Sequence, residues 1–228
     1  MRLPFTPYGA ADLAISTIAC LGTIAVAVWL APGAPWLWGV AGLAFVLWLI
    51  LLNFFRDPER ETPKGRLLLI SPADGHVQDF SDVEEPRFLG ETASRIGIFL
   101  SPLDVHVNRM PMDCVVAEVE YRKGKMLKAF DPRAITENES AATGIEVLDG
   151  RARLIVRQVT GAVARRIVCP VGKGARFAAG QRFGMIKFGS RTELWVPKSL
   201  QVRWAVSIGD KVVGGRTVLG TVEEPPVR

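Results

Sequence analysis

Between Leu13 and Phe55 the chain carries no Asp, Glu, Lys or Arg. An uncharged apolar stretch of that length must bury itself, either in protein or in lipid. It divides into two runs. Leu13–Ala31 is apolar apart from Ser16, Thr17 and Thr23, and Trp36–Leu52 follows the turn signal Pro32-Gly33-Ala34-Pro35. Each run is about 17–20 residues, close to what a helix needs to cross a ~30 Å hydrocarbon core. A secretory signal fits poorly, because two runs are present and Asp12 precedes the first. A buried soluble hairpin is the bland alternative. The pattern favours a helical membrane hairpin over residues 1–55, with Trp36 and Trp38 at an interface. Its short turn puts both ends on one side. Arg56, Arg60, Lys64 and Arg66 follow the second run, so that side is expected to be cytoplasmic.

The hairpin also raises the mean hydropathy to +0.22. The 228-residue chain has a net charge of +5. Its basic residues are scattered and lack aromatic interleaving, which argues against nucleic acid as a partner. Attraction to an anionic membrane surface, or simple solvation, accounts for the balance. Three cysteines, Cys20, Cys114 and Cys169, show no CxxC spacing, so neither a disulfide framework nor a zinc cluster is expected. Two histidines, His76 and His106, are too few for a His-rich metal site, and no metal is expected.

Residues 56–66 are charged and contain two prolines, which reads as a linker to a body spanning 67–228. In that body short apolar runs recur between Gly and Pro signals. Examples are Leu67–Ile70, Arg95–Leu100, Val115–Tyr121, Ala152–Thr160, Thr192–Val196 and Val218–Val222. Short, regularly spaced strands imply a mainly β fold, a sandwich or barrel. A helix is expected only near Pro132–Thr143. Toward the C-terminus, Gly172 to Gly180 and Gly209 to Gly215 repeat a glycine-turn grammar. It is similar to the compact hammerhead of lipoyl- and biotinyl-type domains, and suggests a barrel-sandwich hybrid-like body.

Three segments carry the chemistry. They are Ser71-Pro72-Ala73-Asp74-Gly75-His76, then Ser101-Pro102-Leu103-Asp104-Val105-His106-Val107-Asn108-Arg109, then Phe188-Gly189-Ser190-Arg191. In this order they resemble the phosphatidylserine decarboxylases, whose hallmarks are a Pro-x-Asp-Gly turn, a Ser-Pro-x-Asp-x-His segment and a late Gly-Ser processing site. The resemblance spans the chain and points to the shorter, prokaryotic branch. The sequence departs from the pattern in two ways. Phe188 and Arg191 flank Gly-Ser where Leu and Thr are better known, and Arg109 stands where many members carry a second histidine. Either His106 takes over as base for self-cleavage, or cleavage proceeds with less base assistance.

The resemblance implies a proenzyme that cuts itself between Gly189 and Ser190. Glycine before the serine suits a tight turn that exposes its carbonyl. Ser190 becomes a pyruvoyl group, the cofactor that forms a Schiff base with the substrate amine and serves as electron sink. The substrate is phosphatidylserine, the products phosphatidylethanolamine and CO2. His106 is the expected proton donor or relay, and Asp74 is expected to orient it. The larger and smaller chains are expected to stay associated, a homodimer is compatible, and the location implied is the cell inner membrane, body facing the cytoplasm.

Each residue also has a plainer reading. Asp74-Gly75 is a hairpin turn, His106 a structural histidine and His76 a surface residue. Arg109 is either a lipid-phosphate contact or a surface ion pair, and Asn138 sits in a polar loop. Three other classes compete. Met185-Ile186-Lys187 suggests a membrane-anchored lipoyl- or biotinyl-like carrier, without the usual Met-Lys-Met. A serine peptidase using Lys187 or His106 lacks a Gly-x-Ser-x-Gly elbow. A structural membrane protein would stay whole and unmodified.

Overall fold

The computed structural model describes residues 4–127, 131, 133–150, 152–161, 166–187 and 190–223. The chain forms two compact units, Met1–Glu59 and Arg60–Arg228.

The first unit contains α1 (Ala10–Leu30) and α2 (Leu37–Phe54), joined by a 3-10 turn over Ala31–Gly33. Both helices are long and apolar enough to cross a membrane, and little of either is buried. Ile18 and Trp29 are 73% and 78% exposed. The polar side chains in α1 are satisfied locally: Ser16 and Thr23 donate to the Leu13 and Ala19 carbonyls. Trp48 of α2 donates to Thr17 Oγ1 of α1 at 3.2 Å.

The second unit is mainly β. Its strands are β1 (Leu68–Ile70), β2 (Gly75–Glu85), β3 (Glu91–Leu100), β4 (Val107–Arg109), β5 (Cys114–Arg122), β6 (Ser140–Val147), β7 (Arg153–Thr160), β8 (Arg166–Val168), β9 (Arg176–Phe177), β10 (Arg182–Lys187), β11 (Ser190–Pro197), β12 (Val202–Trp204), β13 (Lys211–Val212) and β14 (Val218–Val222). An eight-stranded sheet has the order β13-β2-β3-β11-β7-β6-β5-β9; two three-stranded sheets are β1-β14-β12 and β4-β10-β8. All the described pairings between these strands are antiparallel.

Alternation along the strands gives the large sheet two faces. Ile96, Ile98 and Leu100 of β3, Leu194 and Val196 of β11, and Leu154 and Val156 of β7 belong to one buried core with Met110, Phe183 and Leu219. Each such side chain contributes about 1.5–3 kcal/mol by leaving water.

Two local readings change. The helix expected over 132–143 is only α3 (Ala134–Glu137), and Ser140–Thr143 begin β6. Pairing with β5 on one side and β7 on the other outweighs the helix-forming composition. β2 was not expected as a strand, because Gly75–Glu85 is too polar to show an apolar run. It pairs with β3 along almost its whole length.

Candidate active site

Ser190 opens β11, a strand inside the large sheet, opposite Leu100 of β3 and Thr160 of β7. It is fully buried, and its hydroxyl has no hydrogen-bond partner among the described residues. Phe188 and Gly189, the other half of the expected cleavage site, lie outside the described residues. Register puts Ser190, Thr192, Thr160 and Gln158 on the core side of the sheet. The apolar core therefore ends in a patch of neutral polar groups.

His106 enters from the loop after β3. That loop is tight: the Ser101 N–H donates to Asp104 Oδ2 and the Asp104 N–H to the Ser101 carbonyl, both at 2.9 Å. His106 is fully buried, with Nδ1 2.9 Å from the Asp104 carbonyl. A carbonyl only accepts, so Nδ1 carries the proton and Nε2 is the basic nitrogen of the neutral ring. The His106 carbonyl accepts from the Ile186 N–H, which ties the histidine to the end of β10. Ser190 and His106 thus reach the same end of the packed sheets, one through β11 and the other through the β3–β4 loop.

Asp74 is placed differently. Its carboxylate takes a bidentate pair from Arg60, Nη1 at 2.5 Å and Nη2 at 2.7 Å, and accepts the Gly214 N–H at 2.9 Å. Among the described residues no hydrogen bond joins it to His106. Arg60, in the segment read as linker, also donates to the Gly214 carbonyl. Gly75 is the hinge of this turn. Its φ is +147°, and a Cβ there would sit 2.0 Å from the Phe99 carbonyl oxygen, so only glycine fits. His76 is exposed on β2.

Arg109 is not a surface residue. It is 3% exposed and donates from Nη1 to the Gly180 carbonyl at 3.0 Å. A bidentate contact with a lipid phosphate does not suit that burial. Lys187 is 7% exposed inside β10, whereas a carrier lysine must reach outward.

Sequence reading missed several groups. Asn108, Gln158 and Thr192 form a buried chain: Asn108 Nδ2 donates to Thr192 Oγ1 and accepts at Oδ1 from Gln158 Nε2, both at 2.8 Å. Asn138 is fully buried rather than in an open loop. It bonds the Leu127 N–H and carbonyl, and the carbonyl of Thr160, the strand neighbour of Ser190. A lone Asn, Gln or Thr in a strand carries no sequence signal for such pairing.

The opposite face of β11 carries charge. Arg191 donates to Asp79 at 2.5 and 2.8 Å and to Glu193 at 2.8 Å. Arg95 and Arg157 also approach Glu193, at 3.8 and 3.5 Å. Gly97 leaves room for Arg191: a Cβ there would meet its Nη2 at 2.0 Å. A bulge between Val77 and Asp79 moves Asp79 to this face. Burial alone would raise the Asp79 carboxyl, but the hydrogen bond and charge of Arg191, helped by Arg95, hold it below its usual value. Burial pushes Arg157 down despite Glu193.

A family model described as phosphatidylserine decarboxylase matches residues 47–220. Similar proteins include three named phosphatidylserine decarboxylase proenzyme. That of Symbiobacterium thermophilum is 45% identical over 92% of this chain and 93% of its own. That of Chlorobaculum tepidum is 40% identical over 94% and 96%, and that of Salinibacter ruber 43% identical over 90% and 87%. With the three motifs in order and the match covering nearly the whole body, the chain belongs to the phosphatidylserine decarboxylase family.

Proposed function

We propose that this chain is the proenzyme of a pyruvoyl-dependent decarboxylase that converts phosphatidylserine to phosphatidylethanolamine and CO2 in phospholipid biosynthesis. The observation that carries the reading is the Ser190 hydroxyl: fully buried, without a hydrogen-bond partner among the described residues, at the first position of an interior strand. Burying a hydroxyl unpaired costs roughly 1–3 kcal/mol, and a group kept at that cost suits chemistry.

Ser190 Oγ attacks the Gly189 carbonyl carbon, and its proton passes to the departing amide nitrogen. The resulting ester eliminates across Cα–Cβ of residue 190, releasing the Gly189 carboxylate. Water then replaces the nitrogen, which leaves as ammonia, and the smaller chain Ser190–Arg228 begins with a ketone. His106 Nε2 is the base that serves this step and later the group that returns a proton to substrate. Asp74 acts by holding the turn at the start of β2 through Arg60 and Gly214. The buried, neutral polar patch around Ser190 fits a pyruvoyl group, which supplies the electron sink that ordinary side chains lack.

The larger and smaller chains remain associated, since β11 is paired along Ser190–Pro197 with β3 and along Ser190–Trp195 with β7. The body, residues 67–228, is a barrel-sandwich hybrid. Residues 1–55 form a hairpin in the inner membrane, residues 56–66 connect the two, and the body works on the cytoplasmic, anionic surface. A homodimer is compatible with this arrangement.

The test is intact mass of the purified full chain and of Ser190→Ala, with borohydride reduction and a phosphatidylserine turnover assay. The wild type is expected as two chains, the smaller one reducible and active. Ser190→Ala is expected whole and inactive; a cleaved, active Ser190→Ala protein would overturn the reading.

A further inference from the structure

We infer that Asn108, bridging Thr192 and Gln158, is the positioning residue that sets His106 against Ser190 in the precursor; this rests on reading Ser190 as the self-cleavage nucleophile. β4 and β11 belong to different sheets and share no backbone ladder. Apolar packing holds those sheets together, but it is non-directional and leaves their sliding register loosely defined. The Asn108 Nδ2–Thr192 Oγ1 bond of 2.8 Å is directional and fully buried, so it fixes that register.

The spacing gives the bond its consequence. Asn108 lies two residues after His106, and Thr192 two residues after Ser190. Extended chain returns to the same face every second residue, about 7 Å on. Just before β4 the His106 carbonyl is bonded to Ile186, and β4 then runs back along β10 to the Arg109–Arg182 pair. From Ser190, β11 passes through Thr192 to the core residues Leu194 and Val196 on the same face. The two pairs are therefore in step, and a bond at the second position brings the first positions together. Gln158 holds the Asn108 amide from the other side at 2.8 Å. Gly184 closes the slot, because a Cβ there would lie 2.5 Å from the Val168 carbonyl and 3.1 Å from Gln158 Nε2.

The experiment follows cleavage of the full chain over time during cell-free translation, with melting of each purified protein alongside. Thr192→Val keeps the shape and removes the acceptor; it is expected to cleave at least about tenfold more slowly, the scale of a misplaced reacting group. Thr192→Ser keeps the hydroxyl and is expected within about twofold of wild type. The triple variant Asn108→Leu/Gln158→Leu/Thr192→Val removes all three linked polar groups and strands none of them, so its melting recovers toward wild type while cleavage stays slow. Thr192→Val or the triple variant cleaving at wild-type speed overturns the inference, as does Thr192→Ser being as slow as Thr192→Val. A wild-type chain that never cleaves removes the reading of Ser190 itself, a different and recognisable failure.

Discussion

Strand β11 shows two ways of burying polar side chains on opposite faces of one sheet. On the core side lie Ser190 and Thr192, neutral, beside Thr160, Gln158 and Asn108. On the other side lie Arg191 and Glu193, charged, laced to Asp79, Arg95 and Arg157. The charged face is densely bonded, and its losses should appear as stability. The neutral face includes a serine hydroxyl with no partner among the described residues, and its losses should appear as chemistry. A single strand can thus carry an unpartnered hydroxyl on one face and a bonded ion network on the other.

The contrast breaks most readily at Ser190. Ser190→Ala should abolish cleavage while leaving the melting temperature unchanged or slightly higher, because the hydroxyl has no hydrogen-bond partner among the described residues. Gel analysis with calorimetry checks this, and a drop of several degrees would mean the hydroxyl is structural after all. The counterpart is Glu193→Gln. It removes the carboxylate facing Arg191, Arg95 and Arg157 inside the protein and should cost about 3–5 kcal/mol in urea unfolding. Its folded fraction should still cleave; folded protein that stays whole would show that the two faces are coupled.

Gly97→Ala should cost about 1–3 kcal/mol, by pressing a methyl into the Arg191 guanidinium. Stability equal to wild type would show that Arg191 has another resting place. Asp79 sharpens the comparison through pH. Its folded value is depressed, so its contribution is present above the ordinary carboxylate value of 3.8 and is lost as pH falls through the lower folded value. Asp79→Asn should flatten that acid limb in a pH series of melts. The smallest effect is expected at Cys114, whose thiol burial pushes up to about 12. Native protein should not be alkylated there near pH 8, and mapping the modified peptide checks this.

How much of this was legible beforehand depended on whether the signal was local. The apolar hairpin sequence, the alternation in Arg153–Thr160 and the Asp74-Gly75 turn are each written within a few neighbouring residues, and the corresponding elements form. β2 was hidden because Asp79, Asp82 and the Glu84-Glu85 pair break its apolar pattern; pairing with β3 makes it a strand regardless. Arg60 read as part of a linker, yet it grips Asp74, fourteen positions on, because the fold brings the Gly214 turn to both.

Residue type and order were enough to mark Ser190, His106 and Asp74 as a set and to name the family they resemble. They were also enough for two apolar helices and a β-rich body, since periodicity and charge act over a few residues. Only folding decided that Asp74 binds Arg60 and Gly214, that Arg109 turns inward to Gly180, and that Asn108 meets Thr192. Those pairings span 14 to 140 positions. They are set by register, a bulge and the packing of separate sheets, none of which any short stretch of chain encodes by itself.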